Sequence, residues 1–482
     1  MVNPKVLFIV PSFSEHDQFR GEINKNIKTN KKKKELRVYP YLGVCYLMAG
    51  LKHNQRIDYD IDLIDAPAEN FTLNELIREI KRKNPAIIAI TITTFTLRAA
   101  KLVIEGCRKE IPSAKIIIGG VHINHSPEDF RYFGADYGLR GDCEFTIKPL
   151  VEAILDNKSV KKIPGIMYME GNKFIMDKNP PIIENLDSIP FPDRSKLKAE
   201  NYIFPLFNKK FTTIIGSRGC PYHCVYCGLP YNRKYKKRSV ENIIQELKQL
   251  QTLGYEFVSF SDDIFTLDNE RIFELCREIK RNKISLKWGC STRADCVTYP
   301  LLKALKDAGC LDIRFGIESG NERIRKEIIT KKIPDEQFVK SVNWAKKARL
   351  VVTGFFLFGH PTETEKNMIE TMEFAKKINV DYVSFGIVVP IPSSGTFIQA
   401  LKEKKIDKYI WRDVINGAKE VPFYSPEKIS LDFMKDLRMK ANRSFYLRPK
   451  YILTQLIQIR SLSDFLFRAK WGVNLLFNRG KD

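Results

Sequence analysis

The sequence of 482 residues contains only six histidines and four tryptophans. No apolar run in it approaches the roughly 18 residues that a membrane-crossing helix needs. The first apolar run, Val6 to Val10, is too short for a signal-peptide core and has no cleavage pattern, so a cytoplasmic protein with reduced thiols is expected, and the run reads as a buried strand. No Gly-x-Gly-x-x-Gly follows that run, which argues against dinucleotide binding. Internal repeats, low-complexity segments and hydrolytic arrangements of serine, histidine or paired carboxylates do not stand out. Acidic residues are also scarce: 57 against 80 basic ones leave a formal charge of +23. That sign favours anionic partners such as nucleic acid, acidic lipid or phosphorylated cofactors, yet chooses none of them, and a Lys-, Asn- and Ile-rich chain can owe it to genome composition.

What is present is ordinary globular composition, 44% hydrophobic and 28% charged, enough for about three domain-sized units. Up to about residue 150, β-branched runs at Val6–Val10, Tyr59–Ile64, Ile87–Ile92, Ile116–Ile118 and Tyr137–Leu139 alternate with helical spacing at Leu42–His53, Leu73–Lys83 and Leu97–Glu110. This pattern predicts βαβ units in a doubly wound parallel sheet. The segment Lys25–Lys34, with six lysines and no acid, reads as a mobile surface loop that an anionic ligand would order.

Residues 160 to 210 change character. A hairpin is expected around Glu170-Gly171-Asn172, and the prolines Pro180, Pro181, Pro190 and Pro192 imply a connector wrapped over the surface. A second β/α series starts at Phe211, with strands expected at Thr212–Ile215, Phe257–Phe260, Leu286–Ser291, Asp312–Ile317, Val352–Phe358 and Tyr382–Val389. Six such units make a partial α/β barrel, whose active site belongs at the carboxyl ends of the strands. From Ser430 the pattern is helical. Lys435 to Asp482 carries eleven basic against three acidic residues, interleaved with Phe445, Tyr446, Tyr451, Phe465, Phe467, Trp471 and Phe477. Such helices either lie on an anionic membrane surface or pack on the barrel with the basic face in water. The expected organisation is therefore α/β: a doubly wound, Rossmann-like domain over 1–155, a Pro-rich connector over 156–208, a partial (β/α)6 barrel over 209–400, and a helical region over 401–482.

Of ten cysteines, three have ligand spacing. Cys220, Cys224 and Cys227 stand in Gly219-Cys220-Pro221-Tyr222-His223-Cys224-Val225-Tyr226-Cys227-Gly228, just after the first barrel strand. Three soft thiolates on one tight loop suit zinc or an iron–sulfur cluster. Zinc would want a fourth ligand; no second Cys-x2-Cys pair follows, and His223 is the residue that would complete it. Three ligands on a cubane cluster leave one iron open to substrate. The other cysteines, Cys45, Cys107, Cys143, Cys276, Cys290, Cys296 and Cys310, repeat no ligand spacing and read as buried apolar residues, with Cys290 and Cys296 near the barrel mouth.

The cysteine loop, with the aromatic Tyr226 before the third cysteine, resembles the signature of the radical S-adenosylmethionine (SAM) enzymes. The resemblance implies that a 4Fe-4S cluster chelates SAM and cleaves it to a 5′-deoxyadenosyl radical, with an external electron donor such as ferredoxin or flavodoxin. Later strand ends resemble the family's layout. Phe260-Ser261-Asp262-Asp263 is similar to the segment receiving the SAM amino group, so Asp262 or Asp263 is the expected partner, although the family's more common Gly-Gly-Glu is absent. Arg293 is expected at the SAM carboxylate, Glu318 and Ser319 at the ribose, and Gly359, ahead of His360-Pro361-Thr362-Glu363, beside the adenine. Taken one at a time, each of these is also an ordinary strand-to-helix turn.

The N-terminal domain and connector resemble the cobalamin-binding subclass of that superfamily, through Tyr39-Pro40-Tyr41-Leu42-Gly43, Gly119-Gly120-Val121-His122, Gly141-Asp142-Cys143-Glu144 and Leu186-Asp187-Ser188-Ile189-Pro190-Phe191-Pro192. Leu42, Gly43, Gly119, Gly120 and His122 are the implied cofactor contacts. The Asp-x-His-x-x-Gly that supplies an axial histidine elsewhere occurs at none of the six histidines. The subclass implies methylation of an unactivated carbon in a small-molecule or lipid-like substrate; a radical cyclase without methyl transfer is the alternative within the class. A zinc-stabilised RNA-binding protein is the alternative from another class, and nucleic acid is not the expected partner. A peripheral membrane contact would run through the basic C-terminal helices.

Overall fold

In the computed structural model, the strands fall where the apolar runs stand, and residues 3–12, 38–53, 56–228, 233–449 and 451–453 are described. The Lys25–Lys34 segment and the aromatics Phe465, Phe467, Trp471 and Phe477 lie outside the described residues. Contacts divide the chain into two compact units, the described parts of Met1–Pro221, Gly228–Ser261 and Ile406–Pro422, and those of Tyr222–Cys227, Asp262–Lys405 and Phe423–Asp482. The units do not follow chain order, because the first two strands of the second β/α series and a late helical segment belong to the first.

The first unit is built on β1 (Lys5–Val10), β2 (Asp60–Asp65), β3 (Ile87–Thr91), β4 (Lys115–Gly119) and β5 (Tyr137–Leu139), in the parallel order β2-β1-β3-β4-β5. Five of the six residues of β1 are buried, as a strand covered on both faces requires. The helices are α1 (Leu42–Lys52), α2 (Leu73–Lys83), α3 (Leu97–Glu110), α4 (Val121–His125) and α5 (Ile147–Leu155). A capping box between Thr72 and Glu75 opens α2, and Asn84, in the left-handed region at φ 44°, closes it. The order of the sheet puts its switch point between β1 and β3, where a ligand crevice forms beyond the carboxyl ends of the strands.

The hairpin expected at Glu170-Gly171-Asn172 is present as β6 (Ile166–Glu170) and β7 (Lys173–Met176). It is not a free feature of the connector. β6 pairs antiparallel with the three-residue β5, so the sheet continues to seven strands and the edge of β5 is covered. The rest of the connector has a small core of its own, in which Ile183, Leu186 and Ile189 pack with Tyr46, Leu42 and Ile215.

In the same unit β8 (Ile203–Phe204) pairs with β9 (Lys209–Ile214), and β9 runs parallel to β12 (Phe257–Phe260). Between them in sequence come β10 (Ser217–Arg218), β11 (Lys236–Lys237) and α6 (Val240–Thr252), which Ser239 caps. Glu246 of α6 is wholly buried between two guanidinium groups, at 2.7 Å from Arg194 and 2.5 Å from Arg238. Arg194 also donates to Thr212 and to the Thr213 carbonyl, which ties the connector to β9.

The second unit holds β13 (Lys287–Thr292), β14 (Cys310–Glu318), β15 (Val351–Phe358) and β16 (Tyr382–Ile387), parallel in the order β16-β15-β14-β13. Its helices are α7 (Asn269–Arg281), α8 (Tyr299–Asp307), α9 (Asp335–Lys347), α10 (Glu365–Lys377) and α11 (Gly395–Lys402). The helix α12 (Ile410–Ile415) belongs to the first unit, and α13 (Leu431–Tyr446) to the second. The α/β class, with a doubly wound sheet, a six-strand β/α series and a helical C-terminal section, agrees with the sequence reading. In α13 Phe445 and Tyr446 are buried, and the Tyr446 hydroxyl donates to the Val383 carbonyl at 2.7 Å. These aromatics pack on β16 and are not available to a membrane surface. No helix among the described residues is long and apolar enough to cross a membrane.

Removing one member of a buried charge cluster strands the others. Glu246→Ala leaves two buried guanidinium groups without a carboxylate, and is expected to cost about 3–5 kcal/mol of unfolding free energy in chemical denaturation. A loss below about 1 kcal/mol would show that water reaches the cluster.

Candidate functional site

The eight-residue cysteine loop has almost no regular hydrogen bonding of its own, and neighbouring elements hold it. Gly219 enters it with φ at +89°, and a Cβ there would lie 2.3 Å from the Lys234 carbonyl oxygen, so only glycine fits. Cys220 is buried, while Cys224 and Cys227 are half-buried. Within the second unit the Val225 N–H donates to the Ile329 carbonyl at 3.1 Å, the Thr396 N–H to the Val225 carbonyl at 3.1 Å, and the Thr330 hydroxyl to the His223 carbonyl at 2.7 Å. The Cys227 N–H closes a turn onto the Cys224 carbonyl at 3.0 Å. No group of three or more His, Cys, Asp or Glu side chains among the described residues takes single-metal geometry, these three cysteines included. As a donor set, three soft thiols on one pinned loop fit an iron–sulfur cluster with an open iron.

Tyr226 links this loop to the strand ends. Burial, and then the negative charge of Glu318, push its phenol well above the ordinary range, and its hydroxyl is hydrogen-bonded to Glu318. Glu318 ends β14 with φ at 73°, a left-handed backbone that a glutamate adopts only under constraint. The constraint is Lys331, whose Nζ donates to Glu318 Oε1 at 3.1 Å and to the Gly316 carbonyl at 2.6 Å. A Cβ at Gly316 would stand 2.5 Å from Glu318 Oε1 and would push that carboxylate out of its present place. Lys331 escaped the sequence reading, because one lysine among 80 basic residues carries no signal.

Other expected residues are placed differently. The Ser319 hydroxyl is wholly buried against Thr371 at 3.1 Å and accepts the Asn321 N–H at 3.2 Å, so it shapes the turn rather than facing a ligand. The Arg293 guanidinium stacks 3.6 Å from the centre of the Tyr222 ring. Its Nε and Nη2 are held by Asp295 at 3.0 and 2.7 Å, which leaves Nη1 as the end open to an anion. Asp262 is buried and Asp263 exposed. Gly359 has φ at +91°, and the Tyr424 carbonyl lies 2.7 Å from where a Cβ would be, so both conformation and space call for glycine.

Behind Gly359 lies a buried pair of ionisable side chains. Glu363 Oε2 accepts the N–H groups of Gly359 and His360 at 2.8 and 3.0 Å. Burial outweighs both donors and raises its carboxyl to about 8, while burial alone lowers His360 to about 3. Neither Glu363 Oε1 nor His360 Nε2 has a partner among the described residues. The His360 ring meets Tyr226 edge-on, with centroids 5.7 Å apart.

In the first unit the carboxyl ends of the parallel strands form an apolar shelf. Val121 and Phe145 are 49% and 45% exposed there, and the space above Gly43 is open. Gly119 and Gly120 are required by the fold itself: a Cβ at Gly119 would crowd the Leu139 carbonyl, and Gly120, at φ +109°, lies against Ile92. Leu42 spends its side chain on the connector core. His122 is fully buried, with Nδ1 3.2 Å from the Thr94 hydroxyl and Nε2 3.1 Å from Asp129 Oδ2, and its ring packs against Trp411. With both nitrogens engaged it is committed to the packing of the first unit. Exposed apolar side chains beside an open glycine, beyond the carboxyl ends of a doubly wound sheet, fit a large planar cofactor such as cobalamin.

Comparison with known proteins agrees. Residues 214–375 match the radical SAM superfamily, and residues 37–150 match the B12 binding domain. An uncharacterized methyltransferase of Pyrococcus horikoshii is 32% identical over 426 residues, which span 87% of this chain and 90% of that protein. An anaerobic magnesium-protoporphyrin IX monomethyl ester cyclase of Cereibacter sphaeroides is 23% identical over 424 residues, 85% of this chain and 67% of the cyclase. Among solved structures, the radical SAM methyltransferase TsrM of Kitasatospora setae, with tryptophan and a SAM analogue bound, has a TM-score of 0.66 at 16% identity, covering 83% of this chain and 76% of TsrM. The cobalamin-dependent SAM radical enzyme OxsB, with aqua-cobalamin and SAM bound, has a TM-score of 0.67 at 15% identity, covering 98% and 71%. These two likenesses are of fold.

The buried Glu363 makes stability depend on pH. Its folded value of about 8 lies above its ordinary 4.5, so the stabilisation from the protonated carboxyl is complete below about pH 4.5 and is lost as the pH rises to about 8. Glu363→Gln cannot ionise. Its melting temperature relative to the native chain is expected to improve between pH 5 and about pH 8 and then level off, and a difference that ignores pH would show the carboxyl to be ionised throughout.

Proposed function

Since the chain belongs to the radical SAM superfamily, in the group that carries a B12-binding domain, we propose that it methylates an unactivated carbon of a small organic substrate. The observation that carries the reading is the presence, in one chain, of a pinned three-thiol loop and of exposed apolar side chains beyond the carboxyl ends of a doubly wound sheet. When bound, the cluster supplies the electron that cleaves SAM, and cobalamin supplies the methyl group. An external one-electron donor such as ferredoxin or flavodoxin is part of the proposal.

The side chains take distinct roles in this reading. Cys220, Cys224 and Cys227 hold the cluster and leave one coordination position for the amino acid end of SAM. Arg293, with Nη1 open, is the partner for its carboxylate, and Asp262 or Asp263 for its ammonium. The Tyr226, Glu318 and Lys331 chain fixes the third cysteine's neighbour against the end of β14, so that the loop cannot drift while SAM binds. Ser319 shapes the turn after β14 through the Asn321 N–H, and within the first unit His122 is held by the side chains of Thr94 and Asp129.

The test is anaerobic reconstitution with iron, sulfide and hydroxocobalamin, followed by electron paramagnetic resonance before and after SAM. Native protein is expected to show a cubane signal perturbed by SAM together with retained cobalamin, and a Cys→Ala substitution at any of the three positions is expected to abolish the iron signal. With methyl-deuterated SAM and a cell extract, label is expected in a carbon-bound methyl of a small molecule. SAM cleavage without transferred label would favour the ring-cyclase chemistry named in relatives of this chain. One zinc with no iron chromophore would overturn both.

A further inference from the structure

Two carboxylates at the end of the N-terminal sheet do work that the cofactor shelf does not account for. Beyond β5, Gly141 turns the chain at φ +96°, where a Cβ would sit 2.7 Å from the Pro181 carbonyl oxygen. The turn is fastened on both sides: the Gly141 N–H donates to Asn124 Oδ1 at 2.8 Å, and the Asp142 N–H to the Pro181 carbonyl at 2.9 Å. It presents Asp142 and Glu144 to Arg218, whose Nη1 is 3.2 Å from Asp142 Oδ1 and whose Nη2 is 2.5 Å from Glu144 Oε1. The guanidinium lies over the buried Tyr46 ring, 5.5 Å from its centre. Lys236, the cross-strand partner of Arg218 in the β10–β11 pair, adds a contact to Asp142 Oδ2 at 3.4 Å and donates to the Ile183 carbonyl at 2.6 Å. Glu144 and Lys236 are 8% and 5% exposed, so these charges have little water around them.

Arg218 stands two residues before Cys220, and nothing but the obligatory Gly219 separates them. Buried pairs of this kind add little net stability, since desolvation offsets attraction, but their geometry is strict. A planar fork reaching two separate carboxylates defines both position and orientation, which a single ammonium does not. We propose that Arg218 is a positioning residue, and that its two-pronged tie to Asp142 and Glu144 registers the first cysteine of the loop against the carboxyl end of the N-terminal sheet. The loop's entry is thus set by the cofactor-bearing sheet as well as by its own barrel strand. The proposal rests on the reading of Cys220 as a cluster ligand.

The test compares Arg218→Lys, which keeps the charge and loses the fork, and Glu144→Gln, which keeps the shape and loses the charge. Glu170→Gln, from the exposed Lys161 pair on the β6–β7 hairpin, serves as control. In reconstituted holoprotein both test variants are expected to keep iron at temperatures well below their own melting points, whether or not those points fall. Their cluster resonance should shift or broaden, and reductive SAM cleavage should fall by about a hundredfold, the scale of a misplacement near 1 Å. Amide hydrogen exchange on protein without cofactors is expected to rise over residues 141–145 and 216–228 and to stay unchanged over α13. Variants that match the control in spectrum and exchange would overturn the proposal. So would a loss of iron that only tracks a falling melting temperature, since that is what a stability role alone predicts. If native protein takes up no cluster, the functional reading fails, and the exchange measurement still decides whether the tie holds the loop.

Discussion

A loop that has to present three thiols to one centre cannot spend its backbone on a helix or a strand, so its shape must come from outside. Everything next to the cysteine segment is arranged around that constraint. In the first unit Gly219 threads past the Lys234 carbonyl and Arg218 is gripped by Asp142 and Glu144. In the second, Ile329, Thr330 and Thr396 hold the carbonyls and amides of His223 and Val225. The loop therefore gets its rigidity from the backbone and side chains of neighbouring elements.

The second unit meets a related problem by burying ionisable groups. Tyr226, Glu318 and Lys331 form a chain in which each polar atom has a partner, at the cost of a left-handed glutamate backbone. His360 and Glu363 are instead kept neutral by burial, the one well below its ordinary value and the other well above it. Burial beside the Tyr226 ring thus leaves this part of the second unit without net charge. The long-range counterpart in the first unit is the Arg194, Glu246 and Arg238 cluster, where opposite charges cancel within 3 Å and hold connector, strand and helix together.

Much of the fold was legible because periodicity and burial are local. The six strands of the second series were located to within three residues of their starts, since buried parallel strands read as continuous apolar runs. The three cysteines, the glycine before them and the aromatic between them were equally plain, because ligand spacing is a property of the chain. The hairpin was visible too, but not its role as the outer edge of the sheet, which depends on what β5 leaves uncovered.

What sequence could not decide is the partner of each polar side chain. His122, an implied cofactor contact, is held by Thr94 and Asp129, while Ser319 is turned to Thr371, and Lys331 carries the glutamate of β14 without any local mark. Residues on different elements come within hydrogen-bonding distance only when the chain has packed, and no spacing rule encodes that approach. The sequence by itself determined the architecture, the cluster motif and the family. Tertiary structure alone decided which side chains face an open space and which are spent on holding others in place, because desolvation and hydrogen-bond geometry belong to the assembled fold.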